Sequence, residues 1–297
     1  MNKVVNQSVT PISIVSEKQK RLTGKKIRKL AVEFIAVLLT LIIFGIPFYF
    51  VIINAVKNTQ ESALLSMAWP SSFHLIENIK VVLETQDGMV VRAFFNSIAI
   101  TGFSIILLII LGAMSGYVLQ RKVSKATPFF NFLILAGLII PPAIVPTIWV
   151  LNGTGLFKTM PGIVLVEVAL GLPFTVLLYK GFMATIPREI DEAALIDGCS
   201  RFRLFFSIIL PLLKPVSATV IVLTAVGVYN DFVNPLYFYP GAENATLQLT
   251  LYNFTSMYNT QWNLLFTNIL LISIPPLILF IFFNRKIVAG MTAGSVK

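Results

Sequence analysis

The sequence predicts an all-α, polytopic membrane protein with about six transmembrane helices. Its composition is the first indication, because 56% of the 297 residues are hydrophobic and only 12% are charged, whereas soluble domains carry about 25% charged residues. Six apolar runs are the second, since each is long enough to cross a hydrocarbon core, which needs about 20 helical residues. The third is that polar segments, several of them rich in lysine and arginine, separate these runs.

Prolines interrupt several of the predicted spans. Pro47 lies in the first span, Pro141 and Pro142 in the third, and Pro275 and Pro276 in the sixth. Each should kink or break its helix, because proline has no N–H to donate to the preceding turn. The freed carbonyls in the third span indicate either a segment that faces the bundle or pathway, or a structural kink. The predicted spans are residues 30–56, 97–119, 129–151, 161–184, 212–232 and 263–283.

The fourth span contains two ionisable residues. Lys180 lies near its inner end, where a long side chain can reach the headgroups. Glu167 lies nearer the outer end, and a carboxyl group inside a span indicates a functional site by default. We expect Glu167 either to face a transport pathway or to be solvated at the interface.

The polar stretch 186–211, between the fourth and fifth spans, has the pattern of a short helix. Pro187 suits a first helical turn, and the acidic residues that follow it favour the positive end of the helix dipole. Gly198 suits the left-handed position that ends a helix. Four residues share one face at spacings of three and four: Ile190, Ala193, Ala194 and Asp197. The alanines flatten this face, so it indicates either a docking element or an interfacial helix that caps the bundle.

This stretch resembles the EAA loop of bacterial ATP-binding cassette importer permeases. The resemblance is carried by Glu192-Ala193-Ala194, then Gly198, then Leu210-Pro211 at the family's spacing, and Cys199 departs from the more usual alanine. In that family the loop forms a cytoplasmic coupling helix that sits in a cleft of an ATPase subunit. The resemblance therefore implies a set of ATPase-coupling residues, namely Glu192, Ala193, Ala194, Asp197, Gly198, Leu210 and Pro211.

The segment after the fifth span resembles the Trp-Asn-Glu-Phe segment of sugar permeases. Here it reads Tyr229-Asn230-Asp231-Phe232, with Asn234 two residues on. Polar side chains beside an apolar run need partners. We expect Tyr229, Asn230, Asp231 and Asn234 to lie near a substrate path. The resemblance covers nearly the whole chain and implies the second membrane subunit of a carbohydrate importer of the maltose-type group.

Three segments follow from this interpretation. They are a cytoplasmic N-terminal tail (1–29), a transmembrane permease domain (30–284) and a cytoplasmic C-terminal tail (285–297). Of the 23 lysines and arginines, 18 fall on the side of both termini and the 186–211 stretch, and 4 fall on the other side. Basic residues concentrate on the cytoplasmic side. We therefore expect a multi-pass protein of the bacterial cytoplasmic membrane with both termini inside the cell.

No catalytic or metal-binding residues are predicted. The sequence has no Gly-x-x-x-x-Gly-Lys-Ser/Thr phosphate loop, and one histidine and one cysteine give no metal-ligand pattern. ATP and Mg²⁺ would belong to partner ATPase subunits. The resemblance implies as partners a homologous permease, two ATPase copies, an extracytoplasmic solute-binding protein, a sugar and the lipid bilayer, with no nucleic acid. Importing an osmolyte or peptide, or acting as a channel or signalling subunit without an ATPase, remain alternatives.

Overall fold

The computed structural model describes residues 12–122, 124–254 and 260–293, and within these ranges every regular element is helical. Four helices are long and apolar enough to cross a membrane, and two bent pairs raise the number to six if each pair is one span. The four are Lys26–Ala55, Leu75–Arg121, Met160–Met183 and Trp262–Phe282; the pairs are Thr127–Ile139 with Ile144–Gly153, and Arg201–Leu212 with Lys214–Tyr229. The all-α, multi-pass prediction is confirmed.

The helices follow in this order: α1 (Ile12–Thr40), α2 (Ile46–Ala55), α3 (Thr59–Ala63), α4 (Leu75–Arg121), α5 (Thr127–Ile139), α6 (Ile144–Gly153), α7 (Met160–Met183), α8 (Glu189–Ile196), α9 (Arg201–Arg203), α10 (Leu210–Leu212), α11 (Lys214–Tyr229), α12 (Val233–Phe238) and α13 (Trp262–Ala293). π-helical turns occupy Leu41–Gly45 and Leu204–Ile209, and a 3₁₀ helix occupies Leu249–Phe254. Residues 12–29 of the predicted N-terminal tail are helical and continue into the first span. Residues 1–11, and 294–297 of the predicted C-terminal tail, lie outside the described residues.

The prolines act differently from one another. A π-helical turn at Leu41–Gly45 precedes Pro47, so the irregular backbone lies in the turn where proline removes a helical hydrogen bond. Around Pro141 and Pro142 the third span breaks completely, and the direction of the helix axis changes by 118° between α5 and α6. Helix α13, by contrast, runs without interruption through Pro275 and Pro276.

Helix α4 contains a break outside its membrane-crossing part. Residues 85–88 leave the helical conformation, and Gln86, Asp87 and Gly88 all have positive φ. The guanidinium of Arg92 donates hydrogen bonds to the Gln86 and Asp87 carbonyls, which holds the turn. The uninterrupted part of α4 therefore begins at Met89, eight residues before the predicted start of the second span at residue 97.

Helices α4 and α7 pack closely because α4 presents glycines to α7. A Cβ on Gly112 would lie 2.4 Å from Cγ2 of Thr175, and a Cβ on Gly116 would lie 2.6 Å from Cβ of Tyr179 and 2.9 Å from the Lys180 backbone nitrogen. Small residues at such contacts let membrane helices approach until their backbones touch. This pair has the most extensive helix–helix contact in the bundle; α5, α11 and α13 pack against one or both of its helices, and α2 packs against α13.

Buried amides join the end of the first span, the first part of α4 and the start of the sixth span. The side chain of Asn78, at the start of α4, donates to the Ala55 and Lys57 carbonyls at 2.9 and 3.0 Å. It also accepts a hydrogen bond from Asn263 of α13 at 2.9 Å. Buried polar groups of this kind are costly unless paired, so the network specifies how these span ends meet.

We expect Gly116→Ala to lower the free energy of unfolding by about 1–3 kcal/mol, since the added methyl group overpacks against the α7 backbone. Gly102→Ala is the matched control, because it lies on the same helix with no atom within 4 Å of a Cβ. It should be neutral or slightly stabilising. Thermal unfolding in detergent measures both, and equal melting temperatures would contradict the close α4–α7 contact.

Candidate functional site

The predicted docking helix exists as α8, Glu189–Ile196, between α7 and the interfacial segment that leads to α11. Its first turn carries Glu189, Asp191 and Glu192, which suit the positive end of the helix dipole. Pro187 lies just before the helix and not in its first turn, because Arg188 provides the first carbonyl of the helical ladder.

The end of α8 is a Schellman motif built on Gly198. The Cys199 amide donates to the Ala194 carbonyl at 3.0 Å, and the Gly198 amide donates to the Leu195 carbonyl at 3.1 Å. Gly198 has φ +78°, as its predicted role requires. Since nothing lies within 4 Å of a Cβ there, the constraint on this residue is the backbone conformation itself.

The predicted shared face is wrong for the alanines. Ala194 is buried and Ile190 is half-buried, and both pack against the interior of this chain. Ala193 and Asp197 are exposed, as is Glu192. A helix that rests on its own bundle must turn one side inward, and adjacent residues are about 100° apart. The surface open to another protein therefore carries Glu192, Ala193 and Asp197, whereas Ala194 secures the helix from below.

An ion pair fixes α8 to the end of the second span. Nε of Arg121 lies 2.8 Å from Oδ2 of Asp191, with the two side chains 11% and 13% exposed. The same guanidinium donates to the Ile186 and Pro187 carbonyls at 3.0 and 3.2 Å. In the opposite direction, the Arg188 side chain at the start of α8 donates to the Gln120 carbonyl of α4 at 3.4 Å. The end of α4 and the beginning of the α8 segment are thus one connected unit.

Leu210 and Pro211 shape a corner rather than the outward face of α8. Leu210 is half-buried beside the apolar cluster under α8, and Pro211 is exposed at the start of the short helix α10. At Leu213 the interfacial segment turns by 74° into α11, and the Leu213 side chain is fully buried. These residues place α8 and the fifth span relative to each other.

At the other end of α11, two of the predicted path residues take structural contacts. Tyr229 is buried, and its hydroxyl donates to the Ile272 carbonyl of α13 at 2.9 Å. Asn230 is exposed and donates to the Val226 carbonyl of its own helix. Its Oδ1 accepts a hydrogen bond from Gln248 at 3.0 Å, a partner that the sequence did not single out. Tyr229 therefore joins two spans, and the Asn230 side chain joins its own helix to Gln248.

The other two predicted path residues meet Glu167. The side-chain amide of Asn234 donates to Oε1 of Glu167 at 3.2 Å and also to Oδ2 of Asp231. The other oxygen of Asp231 accepts hydrogen bonds from the backbone amides of Val233 and Asn234 and so caps α12. Glu167 is buried. One amide thus serves two carboxyl groups, and α7 is joined to the α11–α12 corner.

Sequence reasoning missed Asp191 as the partner of Arg121. Both residues were visible, one at the exit of a span and the other in the first turn of a polar helix, but 70 positions separate them. An acid in the first turn together with an arginine at a neighbouring span exit was the available signal. Only the packing of α4 against α7 brings the two side chains together.

Comparison with known proteins gives consistent matches. The family described as binding-protein-dependent transport system inner membrane component matches residues 108–292, which include α8, Arg121 and Glu167. The probable starch degradation products transport system permease protein AmyC of Thermoanaerobacterium thermosulfurigenes is 33% identical over 273 residues, covering 91% of this chain and 98% of that protein. The melibiose/raffinose/stachyose import permease protein MelC of Bacillus subtilis is 32% identical over 259 residues, covering 85% and 91%.

Among solved structures, a similar chain belongs to a bacterial ABC transporter involved in the import of the acidic polysaccharide alginate. The TM-score is 0.76 at 17% identity, and the match covers 88% of this chain and 97% of that chain. At this identity the likeness shows the fold alone. It agrees with the arrangement of spans described above.

We expect Asp191→Asn to loosen α8, because it leaves the largely buried Arg121 cation without its counter-ion. Hydrogen exchange of the backbone amides in 189–196 should accelerate roughly 30-fold, which corresponds to about 2 kcal/mol. Glu192→Gln removes a carboxylate from the same turn on the exposed side and should leave exchange unchanged. Equal exchange in the two variants would show that the ion pair does not hold the helix.

Proposed function

Because the chain belongs to the family of binding-protein-dependent transport system inner membrane components, we propose that it carries a sugar or oligosaccharide through the membrane as one subunit of an ATP-driven importer. It is a multi-pass membrane protein and a transport subunit. The two relatives are named for starch degradation products and for melibiose, raffinose and stachyose. These names support a carbohydrate as the substrate here.

The observation that carries the proposal is that α8 is fixed to its own bundle on one side and exposed on the other. A helix that transmits movement must be packed tightly against its own subunit and must leave its other side exposed to its partner. The firm side of α8 consists of Ala194, Asp191 and the Arg121 ion pair. Its open side exposes Glu192 and Ala193, together with Ile196, which is 86% exposed although apolar. An apolar tip beside small and charged residues suits insertion into a cleft of an ATPase subunit.

In this mechanism α8 acts as a lever. Closure of the ATPase subunits moves α8, and the ion pair to Arg121 passes the movement directly to α4. The glycine contacts between α4 and α7 then carry it into the bundle. The spans rock between inward-facing and outward-facing arrangements. Such a shift requires that the ATPase dimer bind one arrangement more tightly than the other.

The broken third span supports a second permease subunit. Residues 140–143 lie between α5 and α6, belong to neither helix and are exposed on this chain. Non-helical backbone at membrane depth is stable only where protein covers it or where it lines a water-filled cavity. A homologous permease that packs against this break would satisfy both conditions and would enclose the pathway.

The path itself would pass the outer carboxyl cluster. Glu167, Asp231 and Asn234 offer carboxylate and amide groups at the outer ends of α7 and α11. Sugars are recognised by such groups, since each hydroxyl both donates and accepts hydrogen bonds. We place this cluster on the route from an extracytoplasmic solute-binding protein. Both termini and α8 would lie in the cytoplasm, where the two ATPase copies hold ATP and Mg²⁺.

Glu192→Arg and Gly198→Asp should uncouple the subunit while leaving it in the membrane. The first reverses a charge on the open side of α8, and the second strains the left-handed position that ends it. Sugar uptake and capture of the ATPase subunits should each fall at least tenfold, or about 1.4 kcal/mol. Glu84→Arg, also a charge reversal but in the exposed outer part of α4, is the control and should retain both.

Reconstituting the subunit with its co-purifying partners tests the whole proposal. Hydrolysis of ATP should be stimulated by a sugar presented on its binding protein, screened over starch fragments and galactosides. Stimulation by a peptide or osmolyte instead would reassign the substrate. Purification of the chain without any ATPase would favour a channel or signalling subunit.

We expect Asn234→Ala to lower sugar uptake more than Tyr229→Phe does. Asn234→Ala removes the amide that serves two carboxyl groups in the outer cluster, whereas Tyr229→Phe removes only a hydrogen bond between two spans. Tyr229→Phe should instead lower the free energy of unfolding by about 1 kcal/mol. Uptake assays at matched membrane levels, with thermal unfolding of both variants, separate the two roles. The reverse pattern would place the path elsewhere.

A further inference from the structure

A groove runs along one side of α4 where it approaches its end. Its deeper part is a cavity of about 480 Å³ between α4, α5 and α7. Apart from Ser115, the side chains around it are apolar, and they include Phe130, Leu133, Leu172 and Pro173. A cavity of this size suits a small-molecule ligand, and its lining suits a hydrocarbon chain.

A second cavity, of about 510 Å³, adjoins the first toward the end of α4. Met114 and Val118 line both cavities, so the two cavities meet at these residues. The second cavity is bounded by α8, α9 and the π-helical turn that follows α9, and its walls include Tyr117, Phe202 and Phe206. We call the two cavities together the α4 groove.

The charged residues of the α4 groove all lie in its second cavity, beside α8. No charged residue lines the first cavity. Four line the second cavity: Arg121, Lys122, Asp191 and Arg201. Asp191 is already paired with Arg121. Lys122 and Arg201 are exposed, and within the described part of the chain neither forms an ion pair. The mouth of the groove is therefore positive, with two cations available to a ligand.

The position of this charge matches the boundary of the bilayer. Helix α4 ends at Arg121, so Lys122 is the first residue beyond the span. The apolar cavity extends inward from this point, between helices whose exposed side chains are hydrocarbon. A ligand that fills the α4 groove thus needs an apolar chain attached to an anionic group at headgroup depth. A sugar lacks the chain, and a free phosphate ion would leave the apolar cavity empty.

We propose that the α4 groove binds an anionic phospholipid. One acyl chain occupies the cavity between α4, α5 and α7, and the phosphate lies against Lys122 and Arg201. Basic residues near a membrane surface favour anionic lipid by about 1 kcal/mol each, which is roughly fivefold per residue. Because α8 lines the same groove, the lipid supports the helix that the ion pair anchors.

Lipid retention by the full-length protein, purified with its co-purifying subunits, tests the proposal. The protein is exchanged into nanodiscs that contain equal amounts of palmitoyl-oleoyl phosphatidylglycerol and the matching phosphatidylcholine. Native mass spectrometry then counts the lipids retained after ejection. The wild type should retain phosphatidylglycerol in preference to phosphatidylcholine, and soluble glycerol phosphate should not displace it.

Two kinds of variant address the two parts of the groove. Lys122→Gln and Arg201→Gln should each reduce the preference for phosphatidylglycerol about fivefold. Val118→Trp places a larger side chain where the two cavities meet, so it should reduce retention of both lipids at that site. Lys80→Gln and Lys158→Gln remove exposed cations elsewhere and should retain the wild-type preference.

Three results would overturn the proposal. They are equal retention of the two lipids by the wild type, an unchanged preference in both charge variants, and retention that occurs only after the other subunits are removed. The last result would assign the α4 groove to a protein partner. None of these measurements depends on transport, so the lipid site and the sugar-import function can fail independently.

Discussion

The contact between Arg121 and Asp191 closes a triangle of helices. Helix α4 packs on α7 through glycines, α7 leads to α8 through a short connection, and the ion pair returns α8 to the end of α4. The guanidinium also takes the Ile186 and Pro187 carbonyls of that connection. These carbonyls lie outside a helix and have no helical hydrogen bonds of their own. The guanidinium of Arg121 supplies the donors instead. Without this residue α8 would be held to the bundle by its apolar underside and by the hydrogen bond from Arg188 to the Gln120 carbonyl.

The two ends of the molecule use buried polar groups in different ways. At the end that carries α8, the charged groups of Arg121 and Asp191 connect α4 to α8. At the other end, the neutral amides of Asn78 and Asn263 join the end of α2, the first part of α4 and the start of α13. Neutral pairs cost less to bury than charged ones, which suits a permanent joint. That end also buries charged residues. The Lys57 ammonium donates to the Ser66 carbonyl at 2.7 Å, and the two carboxyl groups of the Glu167 cluster share one amide.

The features that followed correctly from the sequence are those decided by local chemistry. Gly198 ends α8 in a left-handed conformation, and the prolines at 141 and 142 break the third span. The predictions that failed needed knowledge of what lies opposite. Ala193 and Ala194 were placed on one outward face, yet Ala194 is buried because the apolar cluster of Leu204, Ile209 and Leu213 lies beneath it. The partner of Tyr229 also needed this knowledge: its hydroxyl donates to the Ile272 carbonyl of a different span, while its place near a substrate path stays a prediction.

The sequence by itself determined the kind of protein, because hydrophobic length, charge distribution and helix-ending residues act through the bilayer and the local backbone. It also identified the segment that becomes α8. Only the tertiary structure decided which side of α8 is open, that Glu167 meets Asp231 and Asn234, and that Arg121 meets Asp191. The last two arrangements join residues 64 to 70 positions apart. The Arg121–Asp191 pair depends on the packing of α4 against α7, and the Glu167 cluster depends on the packing of α7 against α11 and α12.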